Sequence, residues 1–130
     1  MNPNLAAGLA IAAGAALGAL SRWGLSLAFN SMLPQLPLGT LASNLIGGLL
    51  MGVSIALLAD FEWIPLPLRL GIMTGFLGGL TTFSAFSAET ISLLLRQQWA
   101  WTMAIVVAHV GGTLLATMLG IGVVRLWLRN

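Results

Sequence analysis

The chain has 130 residues, of which 58% are hydrophobic and only 6% charged, with a mean hydropathy of +1.00. Charges this sparse cannot cover a soluble domain, so the chain belongs in a bilayer. A formal charge of +2, from five arginines against three acidic residues with no cysteine, excludes a basic face for nucleic acid, a thiolate metal site and a disulfide framework.

A spanning helix needs about 20 largely apolar residues. The turn-forming residues divide the chain into four such spans, approximately 5–29, 39–59, 68–95 and 99–128, which make a single all-α membrane domain. Nothing before Leu5 is basic and the apolar run outlasts a signal-peptide core, so the first span is read as retained. It contains Gly14, Gly18 and then Arg22-Trp23 near its end. Arg22 suits either snorkelling to the headgroups or a vestibule that concentrates anions.

Residues 30–37, with two prolines, link to the second span, where Asn44 sits within Gly39-Thr40-Leu41-Ala42-Ser43-Asn44-Leu45-Ile46-Gly47-Gly48. An amide offers two donors and an acceptor. Inside a membrane its default use is to join two helices; holding an anion is the alternative. The next link carries Asp60, Glu62, Trp63, Pro65 and Pro67 and is the most water-like stretch of the chain.

The third span holds Gly78-Gly79-Leu80-Thr81-Thr82-Phe83-Ser84-Ala85-Phe86-Ser87-Ala88-Glu89. Polar groups without partners cost several kcal/mol in hydrocarbon, so this cluster must face protein, water or an ion. Phe83, Phe86 and Glu89 recur at three-residue spacing, beside a stripe of Thr81, Ser84, Ser87 and Ala88. Hydroxyl donors and the positive edges of aromatic rings can each replace part of an anion's hydration shell. Two phenylalanines and several serines bonded to their own helix would look the same in isolation. Gly78-Gly79 followed by two threonines is poor helix-forming material, and a break at residues 78–82 would free carbonyl oxygens able to hold a bare cation; a glycine kink without an ion is the plainer reading.

Arg96-Gln97-Gln98 makes a tight link to the fourth span, on which His109 and Thr113 lie four apart and share a face. A lone histidine there more often bonds a neighbouring helix than a ligand. Small residues recur every four positions: Gly14 and Gly18, Gly48 and Gly52, Gly71, Gly75 and Gly79, and Gly112, Ala116 and Gly120. Such stripes let helices approach closely, and their number points to self-association. Arg69, Arg125 and Arg129 lie toward one side of the membrane and Arg22 and Arg96 toward the other, a bias too small to fix orientation. One histidine, three carboxylates and no cysteine cannot assemble a hydrolytic triad or a zinc site, so no catalysis is expected.

The Arg22-Trp23 segment, Gly39 to Gly48, Gly75 to Glu89 and Gly111-Gly112-Thr113 together resemble the Fluc, or CrcB, family of fluoride channels across nearly the whole chain. Ala85 departs from the family pattern, which has threonine there. The resemblance implies passive, fluoride-selective conduction out of the bacterial cytoplasm across the plasma membrane. It implies an antiparallel, dual-topology homodimer and a path built from Asn44, Phe83, Phe86, Ser84, Ser87, Thr113 and Arg22. It further implies a structural Na+ at the dimer interface, held by the backbone carbonyls of Gly78 and Thr81. Two rivals share the composition. A coupled exporter of the small multidrug resistance kind would need a first-span carboxylate, which this chain lacks; a structural membrane subunit would conduct nothing.

Overall fold

The computed structural model describes all 130 residues as an all-helical chain with four long apolar helices. Helix α1 runs Pro3–Phe29, with Pro3 in its first turn and the Asn2 side chain accepting the Asn4 N–H as a cap. Helix α2 spans Leu38–Asp60, α3 spans Leu66–Leu95 and α4 spans Trp99–Leu128. The α3–α4 link closes within three residues because Gln97 takes a left-handed backbone (φ 58°). Trp63 and Trp127 lie toward one end of the bundle and Trp23 and Trp99 toward the other, all exposed, as two interfacial belts require.

Only 19 of 130 residues are buried, so most of the helix surface is left for lipid or another chain to cover. Close approaches between helices inside the protomer occur at small residues. Along α1 and the first part of α3, a Cβ on Gly18 would collide with the Phe76 carbonyl, and one on Gly79 would lie 3.1 Å from Ala15 Cα. Between α2 and α4, a Cβ on Gly52 would strike the Thr117 carbonyl, and one on Gly48 would stand 2.8 Å from Thr113 Cγ2. The small-residue stripes are therefore used in packing α1 on α3 and α2 on α4. Most of these stripes are thus filled within one chain, so their spacing alone does not argue for self-association.

Helix α3 is irregular. Gly71–Leu77 winds as a π-helix, Gly78–Leu80 is α-helical, and Phe83–Leu95 is a regular helix. Between the last two, Thr81 (φ −86°, ψ 153°) and Thr82 (φ −147°, ψ 115°) are extended. The Thr82 hydroxyl accepts the Ala85 N–H at 3.1 Å and so caps the second half. A second π-helical stretch, Val107–Gly111, lies in α4. One extra residue in a turn rotates the following side chains by roughly 100°, and both wide turns flank the interruption at Thr81-Thr82.

Candidate functional site

The interruption is held by Asn44. Its Oδ1 accepts the Thr82 N–H at 2.7 Å, and its Nδ2 donates to the Thr82 carbonyl at 3.0 Å. An extended residue in mid-membrane has both backbone groups free, and one side-chain amide pairs with both at once. Nδ2 has a second hydrogen, which meets His109 Nδ1 at 2.9 Å. All three residues are buried. One amide thus joins α2, the middle of α3 and the π-helical turn of α4.

Around this junction lies a cavity of about 300 Å³ whose lining includes Asn44, Thr81, Thr82, Phe83, Phe86, His109 and Thr113. Its aromatic wall is a ladder of three rings. Phe83 meets Phe86 edge to face, with centroids 5.4 Å apart, and Phe86 stacks on His109 at 4.8 Å and 27°. Phe83 is 76% exposed, Phe86 8% and His109 3%, so the ladder runs from the surface of the protomer inward. Thr113, half-buried, faces the same cavity from α4.

The other residues singled out by sequence fall elsewhere. Ser84 and Ser87 are exposed on the outer face of α3 beside Phe83. Ser84 Oγ is 3.2 Å from Thr82 Oγ1. Arg22 is outside the cavity lining; its Nε donates to the Gly79 carbonyl at 3.1 Å and ties α1 to the end of the first half of α3. Thr40 Oγ1 donates to Glu89 Oε1 at 2.8 Å, while the Asn30 Oδ1 accepts the Thr40 N–H at 3.0 Å. Glu89 therefore fastens the second half of α3 to the start of α2. His109, ranked low from sequence, is the residue that connects amide, ring ladder and cavity. Its four-residue spacing from Thr113 places both on the cavity face of α4, and its bond to a neighbouring helix is the role expected of it, but its partners Asn44 and Phe86 come from two other helices and leave no mark in the spacing.

Residues 9–121 match the family described as CrcB-like protein, Camphor Resistance (CrcB). The chain belongs to the CrcB family. Several named proteins are similar to it in sequence. A Nitrosospira multiformis protein named fluoride-specific ion channel FluC is 55% identical over 92% of both chains. Proteins of the same name from Chromobacterium violaceum and Nitrosomonas europaea are 54% and 48% identical, over 94% of this chain and 96% and 95% of theirs. In this CrcB-family chain the match covers α2, both halves of α3 and the π-helical turn of α4, the elements that build the cavity.

Proposed function

We propose that the protein is a passive, fluoride-selective channel that releases fluoride from the bacterial cytoplasm across the inner membrane. The observation that carries this reading is the ring-walled cavity beside the Asn44–Thr82 junction, in a chain about half identical to proteins named as fluoride channels. A small anion leaving water needs donors and positive ring edges in place of its hydration shell. Thr113 supplies a hydroxyl, and Phe83 and Phe86 supply the edges. The first span carries no carboxylate to couple the anion to protons. Liposomes containing only this protein and loaded with fluoride should release it down its gradient and retain chloride. Release no faster than from protein-free vesicles, or only under an imposed proton gradient, would end the channel reading.

We further propose an antiparallel homodimer. Phe83, Ser84 and Ser87 lie exposed on one face of α3, so a wall of the path is open in a single protomer and a second copy would complete it. In such a dimer the carbonyls of Gly78 and Thr81 would hold a structural Na+. No N–H or O–H of the chain donates to the Thr81 carbonyl, and Thr82 spends its N–H on Asn44 rather than on Gly78, its helical partner. Gly78 is exposed, and a Cβ there would meet nothing closer than the Met73 carbonyl at 3.9 Å. When bound, the ion would be coordinated by these carbonyl oxygens and bridge the two copies of α3. Topology reporters fused to the C-terminus should register on both sides of the membrane. If every C-terminus lies on one side, the antiparallel dimer and its axial cation site fall together.

A further inference from the structure

His109 is 3% exposed, and its Nε2 is buried with no hydrogen-bond partner in the chain. Its neighbours fix which nitrogen carries the proton. The Thr82 N–H can only donate, so Asn44 must present Oδ1 to it, which sets Nδ2 against the Thr82 carbonyl and His109 Nδ1. Nδ1 therefore accepts, and in the neutral ring the proton is on Nε2. A buried N–H with nothing to donate to is costly and uncommon in native structures. This one belongs to a ring that lines the cavity, stacked on Phe86 and one helical turn from Thr113.

We propose that the His109 Nε2–H, out of solvent's reach in the ion-free protomer, becomes the hydrogen-bond donor to an anion that enters the cavity, with Asn44 acting as the positioning residue that holds the ring in the donating tautomer. This rests on the channel reading above. The third ring of the ladder then differs from the first two. Phe83 and Phe86 present weakly positive carbon edges, whereas His109 presents an N–H at the buried end of the wall. A charge-assisted N–H bond favours the halide that accepts hydrogen bonds most strongly, which is fluoride over chloride. The neutral ring donates without placing a fixed positive charge that would trap the ion.

The chain has a single histidine, so its ring signals can be read without assignment. In protein labelled with 15N-histidine, the ring should show the Nε2–H tautomer, and its proton should move downfield on adding sodium fluoride but not sodium chloride. An Nδ1–H tautomer, or no response at fluoride concentrations where the same preparation conducts, would overturn the proposal. Two variants separate donation from packing. His109→Phe keeps the ring and loses the N–H, and fluoride flux should fall at least about tenfold, the usual scale for losing a bond to a charged partner. His109→Gln loses the ring but can place an amide N–H near the same point, and should recover much of that loss. If His109→Phe conducts like the parent while His109→Gln fails, the ring only packs. A preparation that shows the fluoride-dependent shift but releases no fluoride from liposomes would overturn the channel reading and leave the anion contact standing.

Discussion

Asn44→Asp is expected to reduce fluoride flux by at least about a hundredfold. The two side chains have the same shape, so the result isolates chemistry. Aspartate keeps one oxygen for the Thr82 N–H, now bonded to Asn44 Oδ1 at 2.7 Å. Its second oxygen replaces Nδ2, which donates to the Thr82 carbonyl at 3.0 Å and to His109 Nδ1 at 2.9 Å. Two acceptors then face a third. Losing two buried bonds at roughly 1–3 kcal/mol each totals about 2–6 kcal/mol, a range that spans the roughly 2.8 kcal/mol of a hundredfold change. A charged carboxylate beside the cavity would repel an anion as well. Moving the histidine proton to Nδ1 could satisfy the new oxygen, at the expense of the proton on Nε2. Flux should be compared with the parent at equal protein recovery, alongside elution volume on size exclusion. Flux within about a factor of two of the parent would show that conduction depends neither on the amide's bonds nor on its place beside the cavity.

The four apolar helices are legible in hydropathy because a membrane span advertises itself by length and composition alone. What lies between them is less so. Helix propensity directs attention to Gly78-Gly79, yet Gly78 is helical (φ −64°, ψ −37°) and the extended residues are Thr81 and Thr82. The reason is tertiary: Thr82 has a partner in Asn44, 38 residues away, that satisfies both of its backbone groups. Propensity measures what a segment lacks and says nothing of what waits for it across the bundle. The π-helical turns at Gly71–Leu77 and Val107–Gly111 leave no mark in the periodicity either. The glycine stripes show the converse, since spacing identifies close-packing faces correctly but not which helix covers them. Arg22 illustrates the same limit: snorkelling and a vestibule both follow from its position near a span end, while its bond to the Gly79 carbonyl follows only from how α1 lies on α3.

Phe86→Ile should slow fluoride release by roughly ten- to a hundredfold while leaving the oligomer intact. Phe86 is the middle rung of the ring ladder, edge to face with Phe83 and stacked on His109. It also belongs to the small core formed with Leu93 and Ile105. Isoleucine is apolar and only somewhat smaller, so the packing cost is about 1–2 kcal/mol, too little to dissolve a helical bundle held by lipid on most of its surface. The ring's electrostatics have no substitute in an aliphatic chain. Aromatic contacts of this geometry are worth about 0.5–1.5 kcal/mol each beyond the area they bury, and the substitution removes two such contacts together with any edge offered to the anion. Phe83→Ile should follow the same direction with a smaller loss of stability, because Phe83 is 76% exposed on the protomer and packs against little of its own chain. The pair separates packing from conduction: if ring edges meet the ion, both variants lose flux although Phe83→Ile loses less thermal stability than Phe86→Ile. Should flux instead follow stability, with Phe83→Ile conducting like the parent, the ladder is core and the anion takes another course through the protein.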